Sequence, residues 1–188
     1  MIRIRVKIKD ILKNESTVRY IVRGLIDGSL SVLGVVIGAS VSGDATTIIS
    51  AGLGGGIANG LSNILGALTA ERASLERERI QKEKSLLKNK GYLKKSILYK
   101  KAINECIVCG IIDGVSTTFG SVLPIIPFFV FKITLALYIS ILITILLLFI
   151  LGIYIGRISH ENIIISGLKL VVGALLVSAL CFMIEWLL

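Results

Sequence analysis

The sequence predicts an all-α integral membrane protein with five transmembrane helices and a short cytoplasmic helical insert between the second and the third. Three observations carry that prediction. Of the 188 residues, 54% are hydrophobic and the mean hydropathy is +0.87, too apolar for a domain whose whole surface must stay wet. Residues 133–155 contain no charged side chain, and that run exceeds the roughly 20 residues a helix needs to cross the hydrocarbon. Basic residues gather in two blocks, seven before or at the start of the first span and eleven between Arg72 and Lys101. The positive-inside rule places both blocks in the cytoplasm.

The chain divides into a cytoplasmic amphipathic segment (residues 1–19), a transmembrane hairpin (20–69), a Glu- and Lys-rich helical insert (70–102) and three further spans (103–188). In the first segment Ile2, Ile4, Val6 and Ile8 alternate with Arg3, Arg5, Lys7 and Lys9, while Ile4, Ile8, Ile11 and Leu12 also fit a helical stripe. A helix lying on the inner membrane surface suits basic and apolar groups on opposite sides. It lacks the continuous apolar core and small-residue cleavage site of a signal peptide, so the first span is expected to direct insertion.

The first span, residues 20–41, carries Arg23 and Asp27. The second, 46–69, has Gly52, Gly56 and Gly60 at four-residue intervals, a face that lets another helix come close. Asn59 and Asn63 lie one turn apart on the same helix, and a buried amide needs hydrogen-bond partners or an ion. From Ala70 to Leu87 no Gly or Pro interrupts a strong helix-forming run, so the second span is expected to continue into the cytoplasm until Gly91 breaks it. Glu71 and Glu78, and Glu76 and Glu83, recur at seven-residue intervals there. They read either as a salt-bridged, solvated face or as collectors of cations. The third span, 103–131, is expected to kink or end near Pro124 and Pro127. The fourth, 133–155, reads as scaffold, and the fifth covers 163–188. Cys106, Cys109 and Cys181 fall in or at the edge of spans, which argues against a disulfide framework, and one Cys-x-x-Cys pair falls short of a four-ligand zinc site.

Two spans carry the same acidic signature. Aligned on Asp27 and Asp113, residues 24–36 and 110–122 coincide at Gly24, Ile26, Asp27, Gly28, Gly34 and Val36 of the first copy, which indicates a duplication. A charge at the centre of a bilayer costs about 2.5–3.5 kcal/mol even on lenient insertion scales, so an intramembrane carboxylate normally lines a polar cavity or an ion path. Cation transport is the reading that follows. In the alternative, Arg23, one turn before Asp27, neutralises it in a structural ion pair, and the protein is a non-transporting membrane adaptor or metal sensor. A proton-coupled exporter of organic cations would want aromatic residues beside the aspartates, and the first span has none beyond Tyr20. Enzymatic catalysis has little support: there is one His, no nucleophile elbow and no cofactor loop. Nucleic-acid binding is not expected, because topology and attraction to anionic lipid account for the net charge of +9.

Three stretches together resemble the vacuolar iron transporter family: Ile26-Asp27-Gly28, the Gly- and Ala-rich run from Ala51 to Gly66, and the Pro-x-x-Pro segment between Gly120 and Phe128. The resemblance extends from about residue 22 to the end. It implies a homodimer that moves Fe(II), Mn(II) or a related divalent ion out of the cytoplasm, with proton exchange and an ion path between subunits. It also implies a plasma-membrane location in a prokaryote and a vacuolar one in a eukaryote. Asp27 becomes the leading ligand, with Asn59, Asn63 and Asp113 beside it and Glu71, Glu76, Glu78 and Glu83 as collectors in the insert. No resident cofactor is expected, since the metal is cargo. Where the family commonly has Ser-Met and then Gly-Glu, this chain has Ser62-Asn63 and Gly66-Ala67. The missing thioether tilts the expected selectivity toward harder ions such as Mn(II). The insert, at about thirty residues, is shorter than the family's metal-binding module.

Overall fold

The structure is a computed structural model that describes residues 15–187, so the surface helix expected in the N-terminal segment falls largely outside the described residues. Five helices follow one another: α1 (Glu15–Ser40), α2 (Ala45–Ser85), α3 (Ile97–Val122), α4 (Ile133–Ile158) and α5 (Ile163–Leu187). Each contains a stretch long and apolar enough to cross a membrane. The described residues contain no strand. This is an all-helical integral membrane protein.

Local chemistry sets the helix ends. Between α1 and α2 the chain reverses at Gly43, whose φ of +65° lies in the left-handed region. Asp44 then caps α2, accepting from the backbone N–H of Thr46 at 3.3 Å and of Thr47 at 2.8 Å. With 41 residues, α2 is about 60 Å long at 1.5 Å per residue, twice the ~30 Å of hydrocarbon. Its charged half, from Ala70 onward, therefore stands outside the bilayer.

α2 stops at Ser85, short of the expected break at Gly91. The Lys88 N–H returns to the carbonyl of Glu83 at 3.0 Å, and Leu87 takes a left-handed φ of 51°. The Glu83 carboxylate accepts from the N–H groups of Gly91 at 2.9 Å and Leu93 at 2.8 Å, which folds the loop back along the helix. One 3₁₀ turn, Tyr92–Lys95, leads to Ser96, whose hydroxyl caps α3 by accepting from Tyr99 N–H at 3.2 Å.

α3 ends at Val122, before its first proline, and Pro127 sits in a 3₁₀ turn, Ile126–Phe129. The helix thus closes nine residues earlier than the span expected to reach residue 131. The carbonyl of Pro124 is satisfied from outside the helix, by the Ser140 hydroxyl of α4 at 2.7 Å.

α1 touches each of the other four helices and is the axis of the bundle. Its last turns, with Leu33, Val36 and Ile37 fully buried, pack on Ile48, Ile125 and Ala136 in an apolar core at one end. At the other end Tyr20 of α1 meets Ala67 of α2 and Cys109 of α3. Between these two cores α1, α2 and α3 cross closely. A Cβ on Gly24 would lie 2.5 Å from the carbonyl oxygen of Asp113, and one on Gly120 would lie 2.6 Å from that of Leu25. The glycines shared by the two repeats therefore let the repeated helices press backbone to backbone around the aspartates. The stripe of Gly52, Gly56 and Gly60 is buried. A Cβ on Gly60 would come within 2.7 Å of the carbonyl of Gly114, so the close-packing role expected of that face is met by α3.

Candidate functional site in the crossing of α1, α2 and α3

Asp27 is twelve residues from the start of α1 and thirteen from its end, about 18–20 Å from either. That is the middle of the helix. Its Oδ2 accepts from the Asn59 amide at 3.0 Å and the Asn63 amide at 2.7 Å, both on α2. The Asn59 amide also donates to Ser31 Oγ at 2.8 Å, and the Asn63 amide to Thr117 Oγ1 at 2.9 Å. Ser31 in turn donates to the Asp27 carbonyl at 2.6 Å, and Thr117 to the Asp113 carbonyl at 2.8 Å. One carboxylate, two amides and two hydroxyls from three helices thus form one connected group. Among the described residues no cationic side chain is paired with Asp27.

The second carboxylate is in a different state. Asp113 is 0% exposed and is held by Arg23: Nε donates to Oδ1 at 3.2 Å while Nη2 pairs with Oδ2. The pairing of Arg23 with Asp27 expected under the alternative reading is therefore replaced by a pairing across the repeat. Burial explains the choice. A fully desolvated carboxylate needs a compensating cation, whereas half-buried Asp27 already receives two amide N–H bonds. Stacking steers the guanidinium as well, since it lies 5.0 Å from the centroid of the Tyr20 ring.

The four glutamates of the insert do not converge. Glu71 accepts from the Tyr20 hydroxyl. Glu76 receives Arg79 Nη2 at 2.7 Å and the Tyr99 hydroxyl. Glu78 pairs with Lys82 at 2.6 Å and lines one cavity with Glu71. Glu83, buried, takes Arg79 Nη1 at 2.6 Å besides its two loop N–H groups. Of the two readings open for these residues, the geometry is that of a salt-bridged face that ties the loop to α2. The Arg79 and Tyr99 hydrogen bonds pull the Glu76 carboxyl down from its usual 4.5 to about 2. Among the described residues no three His, Cys, Asp or Glu side chains are grouped to hold a metal ion. Any metal at Asp27 would need the amide and hydroxyl oxygens.

Ser31 and Thr117 are missing from the residues that the sequence singled out. The signal was present, because each stands four residues after the aspartate of its own repeat, one turn along the same face. Cys106, Cys109 and Cys181 are free thiols. Cys106 and Cys109 line a cavity of about 220 Å³ with Tyr20, Glu71 and Glu105, near the charged end of α2.

A family model described as the VIT family matches residues 18–100 and 96–186. An uncharacterized protein of Methanocaldococcus jannaschii is 71% identical over 188 aligned residues, covering 98% of each chain.

Proposed function

Because this chain belongs to the VIT family, we propose that it carries a divalent metal ion, Mn(II) in preference to Fe(II), out of the cytoplasm in exchange for protons, with Asp27 as the carboxylate that meets the ion. The observation that carries this reading is the asymmetry of the two repeats. Asp113 already has its cation in Arg23, while Asp27, at mid-helix, has only neutral donors.

The amide N–H groups of Asn59 and Asn63 stand where a cation would, satisfying the carboxylate. Turning each amide about its last torsion presents its oxygen instead. With Ser31 and Thr117 the set is then all oxygen, the chemistry that favours Mg, Ca and Mn over softer ions.

A second copy of the chain completes the path. Ser31 is exposed and Asp27 half-buried on the bundle surface, and polar groups inside a membrane span do not face lipid. Nearby on α2, Leu53, Ile57, Leu61 and Leu65 form an exposed apolar stripe at four-residue spacing. Packing this stripe against its copy walls off the aspartate between protomers. The basic ends of α1 and α2 then face the cytoplasm.

Flux into proteoliposomes tests the proposal, using Mn(II), Fe(II), Zn(II) and Ca(II) with and without an acid interior. The proposal expects Mn(II) to enter fastest and an acid interior to accelerate it. Rates equal to those of protein-free vesicles for all four ions would overturn it.

A further inference from the structure

Arg23 stands between two carboxylates. It lies one turn before Asp27 on α1, and side chains four apart on a helix have Cβ atoms about 5–6 Å from each other, within reach of an ion pair. The Cα–Cβ bond of residue 27 also tilts back toward that turn. Yet the guanidinium spends Nε and Nη2 on Asp113 of α3 and no nitrogen on Asp27.

Three features fix that choice. Asp113 is fully buried, so it has the greater need of a cation. The Tyr20 ring, 5.0 Å from the guanidinium carbon, braces the Arg23 side chain. The hydroxyl of the same tyrosine donates to Glu71, so that carboxylate is met by Tyr20 rather than by Arg23. Finally, the position equivalent to Arg23 in the second repeat is Cys109. Asp113 therefore has no cation one turn away on its own helix and draws on that of the first repeat.

We propose that Asp113 is a positioning residue for ion binding: by holding Arg23 across the repeats, it keeps a built-in cation off Asp27 and leaves that carboxylate to the metal. Oδ2 of Asp27 receives only the neutral amides of Asn59 and Asn63. An amide can turn its oxygen to a metal, whereas a guanidinium has donors only and competes with the ion outright. A neutral side chain at position 113 frees Arg23, and Asp27 is then the carboxylate one turn along its own helix. The apparent affinity for metal falls by the fraction of sites that Arg23 leaves open. This role rests on the reading of Asp27 as the carboxylate that meets the ion.

Mn(II) uptake into proteoliposomes over a range of concentrations tests it by separating half-saturation from maximal rate. Asp113→Asn should raise the half-saturating Mn(II) at least about fivefold, the lower end of coupling between two sites, while the maximal rate is kept. Asp113→Ser, too short to reach the guanidinium, should do the same. Adding Arg23→Met to Asp113→Asn removes the competitor and should return half-saturation to that of the unaltered chain or below it. Gel filtration of each variant checks that it remains folded. Half-saturation unchanged in both neutral variants, or raised equally with Arg23→Met present, would overturn the proposal. If the unaltered chain carries no Mn(II), the transport reading fails by itself, and unfolding in mixed micelles judges the movement of Arg23. Within Asp113→Asn, the effects of Arg23→Met and Asp27→Asn should then be coupled, and simple additivity would show that the guanidinium does not move to Asp27.

Discussion

Removing Arg23 should be far more damaging than its half-exposed position suggests. Arg23→Met leaves Asp113 at 0% exposure with neither guanidinium bond, and breaking a buried pair by deleting one partner costs about 3–5 kcal/mol. The Arg23 side chain is itself 55% exposed on the bundle surface, so the pair is open on that side and its neighbours can rearrange around Asp113. That places the expected loss near the lower end, about 3 kcal/mol. Asp113→Asn should cost less, because the exposed partner is free to turn away from position 113 whereas the buried one is not. The double variant Arg23→Met with Asp113→Asn should recover most of the loss, leaving a coupling energy of roughly 2 kcal/mol. Unfolding in mixed micelles titrated with dodecyl sulfate measures all three. If Arg23→Met costs under about 1 kcal/mol, or if the single effects simply add, the ion pair is not what holds the two repeats together.

Other consequences follow from particular contacts. Gly114→Ala would push a methyl group into the carbonyl of Gly60 and the Ile64 side chain, so the same unfolding assay should show a loss of about 1–3 kcal/mol. Gly66→Ala, with nothing within 4 Å, should be neutral or stabilising by up to ~1 kcal/mol. The Glu76 carboxyl is lowered from 4.5 to about 2, first by Arg79 and then by Tyr99. A depressed value means that its contribution is complete above about pH 4.5 and is lost as the pH falls through about 2. Pepsin should therefore spare residues 83–99 at pH 4 and cut them near pH 2, and cutting already at pH 4 would contradict this. Asn63→Met replaces an amide oxygen with a thioether and should raise the ratio of Fe(II) to Mn(II) flux in vesicles; an unchanged ratio would remove Asn63 from the ion's surroundings.

Features governed by spacing within one helix were legible in the sequence. The five spans, the continuation of α2 past the membrane, the buried glycine stripe and the placing of Asn59 and Asn63 on one face all follow from period and composition. Partnerships between helices were not. Sequence places Arg23 one turn from Asp27, but the rotation of α1 against α3 delivers its guanidinium to Asp113, a choice visible only once burial distinguishes the two carboxylates. The insert shows the same limit. Seven-residue spacing puts Glu76 and Glu83 on one face with Arg79 between them, and only the returning loop reveals that Glu83 also serves the N–H groups of Gly91 and Leu93. Helix ends shifted for the same reason, since α2 stops where its loop folds back rather than where the first glycine stands.

The most direct test of the account is Mn(II) flux through Asp27→Asn in proteoliposomes, measured beside the unaltered chain and beside Asp113→Asn. Replacing one carboxylate oxygen with an amide keeps the size of the side chain and removes its charge. Flux should fall to the leak of protein-free vesicles for Asp27→Asn while the protein stays folded, and should persist in Asp113→Asn, whose partner is Arg23 rather than the metal. Flux through Asp27→Asn at the rate of the unaltered chain would contradict the assignment of Asp27 as the carboxylate that meets the ion.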